Sequence, residues 1–279
     1  MLHSVHDLEG YAIRANDGDI GSIHDFYFDD EAWVIRYLVV DTSTWLPNRK
    51  VLISPISIGR PTWLGMVLPM SITKEQIRNS PCIDTAKPVS RQDELGYLGY
   101  YGYPYYWGGA GLWGARTAPY MVRSGMGYGG GEAEYHRLNE QDALATNEVT
   151  KGQHGDPHLR SYNEVIGYRI AATDGDIGHV KGMLMDENTW AIRYLVVETG
   201  HWWDGHEVLI VPQWIRNVSW AEQIVSVNIS RHAVRASAPY SQPTNVDRAH
   251  EADIYRHYGR TGYWVEEGSR QGNVPRDSP

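Results

Sequence analysis

Cysteine is nearly missing: Cys82 is the single one in 279 residues. A lone thiol closes no internal disulfide, which sets aside the small disulfide-held secreted folds and agrees with a reducing compartment. Phenylalanine is almost as scarce, at 2 residues against 19 Tyr and 11 Trp. The aromatic bulk therefore carries polar atoms that need partners when buried. No apolar run approaches the roughly 18 residues that read as a membrane span. The opening MLHSVHDLEG shows neither the charged nor the apolar region of a secretory signal. The expected placement is cytoplasmic. Positive charge is also short, with 25 Lys and Arg against 34 Asp and Glu and a net charge of −9. Phosphate contacts dominate nucleic-acid affinity and need a basic patch, so a nucleic-acid partner is not expected.

What the chain does have is a repeat. An offset of 157 residues lays Tyr11 on Tyr168, Gly18 on Gly175, Trp33 on Trp190, Trp45 on Trp202, Pro55 on Pro212 and Trp63 on Trp220 without a gap. From Ser161 to Ser237, about 29 of 77 positions are identical to the first copy. The match continues past that body: Glu94 falls on Glu251, Tyr101 on Tyr258, Tyr106 on Tyr263 and Trp107 on Trp264. Each unit is a strand-rich body followed by a Tyr-rich arm.

The best strand in each body is Trp33–Thr42 or Trp190–Thr199, rich in β-branched and aromatic residues and free of Gly and Pro. Both of its faces are mostly apolar, so something must cover it on each side. Around it the pattern predicts strands at 11–15, 20–28, 50–54 and 65–72, joined by tight turns such as Asp17-Gly18. Thr73 and Gln76 have capping-box spacing for a short helix. Strands this short and evenly spaced predict a mainly all-β chain of two tandem small antiparallel barrels related by a pseudo-two-fold.

The expected divisions are a first barrel at 4–82, a first arm at 83–107 and a linker at 108–160. A second barrel at 161–239, a second arm at 240–264 and a disordered tail at 265–279 follow. The second arm places Glu251, Ile254, Tyr255 and Tyr258 at helical spacing, with Gly259 as a stop. The first arm is richer in Gly and reads as a poorer helix. The stretch 108–131 is Gly-rich and reads as flexible or irregular, and 132–149 as a short polar helix.

Two patterns recur in both copies. One is G-Y-x-I-x-A-x-D-G-D-I-G, at 10–21 and again at 167–178; the other is W-x-I-R-Y-L-V-V-[DE]-T, followed by V-L-I-x-P. Together they resemble the PRC-barrel domain, the family of the reaction-centre H subunit's cytoplasmic domain and of the ribosome maturation factor's C-terminal domain. The resemblance implies a fold rather than an active site. It raises two roles beside a non-enzymatic interaction or scaffolding module in a bacterial cytoplasm. One is an accessory to a membrane electron-transfer complex; the other, opposed by the acidic balance, is a ribosome or rRNA-processing factor.

No catalytic set, cofactor site or metal site is expected. Asp17-Gly18-Asp19 lacks the further oxygens of a calcium loop. His201 and His206 flank a hairpin tip, His154 and His158 fall in a loop, and His24 and His179 lie on strands. Their spacing does not converge on a zinc site, and Cys82 lacks a partner base. Arg36 and Arg193 lie mid-strand among apolar residues and should pair with carboxylates: Asp29 or Asp41 for the first, Asp186 or Glu198 for the second. The interaction candidates are Tyr101, Tyr103, Tyr105, Tyr106 and Trp107 in one arm and Tyr255, Tyr258, Tyr263 and Trp264 in the other. The arms are expected to dock between the two barrels. The expected partner is a protein, and a homo-oligomer is compatible with the pattern.

Overall fold

The computed structural model describes residues 1–47, 49–59, 65–83, 88–107, 109–124, 158–200, 203, 205–241 and 246–265. Trp63, Trp202, the 132–149 segment and the tail from 266 lie outside them. The chain is mainly β, as expected, with two sheets of mostly antiparallel strands. Each repeat opens on a three-residue strand, β1 (Leu2–Ser4) or β7 (Leu159–Ser161), and one helical turn, α1 (Val5–Leu8) or α5 (Tyr162–Val165). The first sheet contains β2 (Ala12–Ala15), β3 (Gly18–Asp29), β4 (Val34–Asp41), β5 (Lys50–Ile53) and β6 (Val67–Pro69), in the order β5-β4-β3-β2-β6. The second contains β8 (Arg169–Ala172), β9 (Gly175–Asp186), β10 (Ile192–Thr199), β11 (Glu207–Ile210), β12 (Ile215–Ser219) and β13 (Ile224–Val227), in the order β11-β10-β9-β8-β13-β12. β2 pairs with β6, and β8 with β13, in parallel.

Local chemistry repeats faithfully. The Asp29 carboxylate accepts from the amides of Glu31 (2.9 Å) and Ala32 (3.1 Å), and its carbonyl accepts from Trp33 (2.8 Å). Asp186 does the same for Asn188, Thr189 and Trp190. These turns force Trp33 and Trp190 to φ of 55° and 59°, a conformation that costs free energy for any non-Gly residue. The last glycine of the D-G-D-I-G motif is required by close approach. A Cβ on Gly21 or Gly178 would sit 1.8 or 1.9 Å from the carbonyl oxygen of Asp41 or Glu198. The Asp of the Asp-Gly turn also seats a helix. Asp17 and Asp174 accept from the amides of Lys74 and Arg231 at the starts of α2 (Lys74–Asn79) and α6 (Arg231–Arg235). The capping box of Thr73 and Gln76 forms.

The opening strands, which the sequence pattern does not reveal, tie the repeats together. β1 pairs with β9, and its counterpart β7 pairs with β3. The β7 pairing sets Tyr27 against Ser161 and Asp29 against Leu159. It is fastened by Ser161 Oγ donating to Asp25 (2.6 Å) and by an Arg160–Asp30 ion pair (2.8 Å). Nearby, Val34 bridges Ala191, its own counterpart in the repeat. Ile35 N donates to Trp190 O (2.9 Å) and Ile192 N to Trp33 O (2.7 Å).

The chain packs as two compact units whose boundary does not follow the repeat. One comprises His3–Ile166 with Met183–Arg193, so the β9–β10 hairpin tip belongs with the first repeat. The other comprises Met1–Leu2, Gly167–Gly182 and Tyr194–Pro279.

Both arms are helical. α3 (Arg91–Tyr101) starts on a capping box of Ser90 and Asp93 and stops at Gly102, φ 67°. These caps and the buried face of Glu94, Tyr97 and Leu98 outweigh the cost of Gly96 and Gly99, which the expectation of a poorer helix did not weigh. The segment 109–124, expected to be loose, is packed: Trp113 is 2% exposed, two short β-bridges brace it, and α4 (Pro119–Ser124) follows. In the second arm, α7 (Arg248–His257) is capped by Asp247 and followed by Gly259 at φ 61°.

Candidate functional site

The arms meet the sheets through one buried carboxylate each. Glu94 is fully buried, although an isolated charge there would cost several kcal/mol. Its Oε1 accepts from Tyr37 of β4 (3.1 Å) and from Tyr106 at the end of the arm (2.5 Å). Its Oε2 lies 3.1 Å from Arg91 Nη1 and 2.6 Å from His158 Nε2. Arg91 also donates to the Tyr106 hydroxyl (3.1 Å). The second repeat rebuilds the arrangement at the same offset. Glu251 accepts from Tyr194 (3.1 Å) and Tyr263 (2.9 Å) and pairs with Arg248 (2.9 Å). A carboxylate, two phenols and a guanidinium thus clasp each arm to its own sheet.

Burial, then the Glu94 charge, pushes the Tyr37 and Tyr106 phenols well above the ordinary tyrosine range; Arg91 and Arg36 only partly oppose this at Tyr106. Burial and Glu251 push Tyr194 in the same direction. These phenols act as fixed donors, not as acids that exchange protons near neutrality.

Arg36, 2% exposed, is the second anchor. It pairs with Asp29 (3.0 Å), donates to the Leu112 carbonyl (2.5 Å) and lies over the rings of Tyr106 (3.9 Å) and Trp113 (4.9 Å). Trp113 in turn donates from its indole to Thr189 O (2.8 Å). Burial works to raise the Asp29 pKa. The Arg36 charge and the hydrogen bonds from Ala32, Arg36 and Glu31 outweigh it and hold the carboxyl below its ordinary value.

The other ion-pair candidates have these contacts. Asp41 accepts from the Ser43 amide (2.8 Å), which lowers its pKa, and sits near Lys50 and His24. Arg193 reaches Thr189 Oγ1 (3.5 Å), Asp186 Oδ1 accepts from the amides of its turn, and Glu198 lies 3.6 Å from Lys181. Glu198 lies at an exposed strand position, and Asp186 Oδ1 also accepts from the Thr189 hydroxyl.

The aromatic candidates gather around these anchors. Tyr103, Tyr106, Tyr255 and Tyr263 are buried. Tyr101 stacks on Tyr103 (5.4 Å), and burial pushes its phenol up to about 12. Tyr105 stacks on Trp107 (4.8 Å), which lies under the Arg91 guanidinium (4.0 Å). Trp264 lies under Arg248 (4.5 Å) and meets Tyr255 edge-on (5.2 Å); Tyr258 packs on Trp214 (4.6 Å). These arm contacts are made within the arm's own repeat, apart from that of His158 in the linker.

Sequence reasoning aligned Glu94 with Glu251 but assigned them nothing. The signal was an acidic residue retained on an otherwise aromatic helix face. Cys82 is exposed. His206 packs on Trp203, and His154 and His201 lie outside the described residues. Among the described residues no group of three or more His, Cys, Asp or Glu is placed to hold a metal ion, and no helix is long and apolar enough to cross a membrane.

No match was found among curated proteins. The family model for the PRC-barrel domain matches residues 2–60 and 157–235, one segment in each repeat. With the repeated motif and the two β sheets, this places the chain in the PRC-barrel family, with two tandem PRC-barrel domains.

Proposed function

We propose that this chain is a non-enzymatic interaction scaffold of a bacterial cytoplasm, in which each PRC-barrel domain holds an aromatic arm rigid so that its outer side can receive a protein partner. The observation that carries the reading is the doubled clasp. Glu94 and Glu251 are saturated by phenols and guanidinium groups, while Trp107 and Trp264 stay half-exposed at the surface under Arg91 and Arg248. Half-exposed aromatics on a rigid support lose little entropy on binding and are favoured contact anchors. An exposed thiol at Cys82 fits a reducing compartment.

The test compares affinity capture from the native host by the wild-type chain and by the Trp107→Ala/Trp264→Ala double variant, with circular dichroism confirming that both fold. Loss of specific partners in a folded variant supports the reading. An unchanged partner set sinks it, as does a turnover activity abolished by Glu94→Gln in a folded chain. Capture from membranes that carry an electron-transfer complex would assign the narrower accessory role.

A further inference from the structure

The clasp helices differ at two adjacent positions of their buried face: Tyr97 and Leu98 in the first repeat stand where the second has Ile254 and Tyr255. In the first, Tyr97 of α3 is 1% exposed; its hydroxyl donates to Leu52 O (3.1 Å) on β5 and accepts from Ser54 N (3.0 Å). Its ring lies against Tyr37 (5.2 Å) and Tyr101 (4.9 Å). In the second, the counterpart is Ile254, which has no hydroxyl and is half-exposed. The helices are otherwise seated alike. Tyr100 donates to Gln76 O (2.8 Å), and its counterpart His257 contacts Ala233 O, the counterpart atom, at the same 2.8 Å. The edge strands also share their register, Leu52 opposite Val39 and Leu209 opposite Val196. The Leu209 carbonyl therefore faces the helix as the Leu52 carbonyl does.

A cavity of about 220 Å³ opens at this place, lined by Leu209, Ile254, Tyr258, Ser237, Tyr240 and His257 among others. For scale, a cavity of roughly 150 Å³ holds a benzene ring. The exposed wall surface is mostly apolar, and polar side chains of Ser237, Tyr240, His250, Asp253, His257 and Tyr258 border it, a mixture that suits an amphipathic ring.

From this we infer that the cavity beside Ile254 is a binding site for a para-substituted phenol. The first repeat shows the occupant and its pose: a phenol ring between helix and edge strand, its hydroxyl bonded to strand backbone. In the second repeat Tyr255 and Trp214 add rings one helix position away, where the first has Leu98 and Ser57, but the space beside Ile254 stays open, and the ring that fills it would be a free phenol or a tyrosine side chain of another polypeptide. The site stands independently of any partner on the Trp107 and Trp264 surfaces.

Calorimetric or NMR titration of the full chain with p-cresol, toluene and N-acetyl-tyrosinamide tests it. p-Cresol should bind one equivalent saturably, with toluene about tenfold weaker for want of the hydroxyl. Ile254→Tyr, which supplies the missing ring in place, should abolish binding, and Tyr97→Ile should add a second equivalent. Competition by N-acetyl-tyrosinamide would assign the tyrosine source; p-cresol binding without such competition would assign a free phenol. Absence of saturable phenol binding, toluene binding as tightly as p-cresol, or wild-type binding by Ile254→Tyr would overturn the assignment; this last arm holds even if Tyr97→Ile fails to fold.

Discussion

Replacing Glu94 by Gln is the sharpest perturbation of the clasp, because it keeps the shape and removes the charge. One oxygen remains to accept from Tyr37 and Tyr106, but an NH₂ group now faces Arg91 and His158, which lie 3.1 and 2.6 Å from the lost oxygen. A hydrogen bond to a charged group contributes about 1.5–3 kcal/mol. Breaking a buried ion pair from one side costs about 3–5 kcal/mol. Arg91 keeps some access to water and its bond to Tyr106, which moderates the loss. The expected destabilisation is about 3 kcal/mol.

Glu251→Gln should cost less, about 1–2 kcal/mol, because its partner Arg248 is 55% exposed and screened. Urea unfolding followed by far-ultraviolet circular dichroism and tryptophan fluorescence reads both values. A cost under about 1 kcal/mol for Glu94→Gln, or a larger cost for Glu251→Gln, would refute the reasoning.

Gly21→Ala and Gly178→Ala should each cost about 3 kcal/mol or more, since the added methyl collides with a strand carbonyl that cannot give way; thermal melts should fall accordingly. Trp113→Ala should destabilise by about 3–5 kcal/mol and leave Arg36 without part of its cover, which denaturant titration measures. The raised phenols of Tyr37, Tyr106 and Tyr194 make the folded state hold protons that the unfolded state releases above about pH 10. Stability is therefore full below that pH and falls as pH rises beyond it, and ultraviolet titration should show these phenols ionising only with unfolding. Asp29 works in the opposite direction: its lowered pKa adds stability above the ordinary value of 3.8 that is lost as pH falls below it, an effect Asp29→Asn should remove from acid-unfolding curves.

The features legible in the sequence were those set by neighbours along the chain. The strand core at 34–41 and its repeat, the Asp17-Gly18 turn and the Thr73 and Gln76 capping box are local, so residue type and spacing determine them. The cross-repeat pairing of Leu159–Ser161 was not legible, because a three-residue strand shows no periodicity. Nor was the packing of Trp113: Gly109, Gly111 and Gly114 suggest looseness. A Cβ at those three positions would lie 2.2 to 2.7 Å from backbone atoms, so they mark close contact instead. Arg36 could be assigned a carboxylate from burial alone, but choosing Asp29 over Asp41 needed the turn geometry. The clasp was half-visible, since Tyr37, Glu94 and Tyr106 all have identical counterparts, yet only the fold brings positions 57 and 12 residues from Glu94 onto one carboxylate.

Native-state hydrogen exchange on the amides of α3 and α7 tests most directly whether each arm is an integral part of its own domain. The account predicts protection comparable to β4 and β10, with Glu94→Gln lowering it in α3 and not in α7. Rapid exchange throughout both helices in the wild-type chain would contradict it.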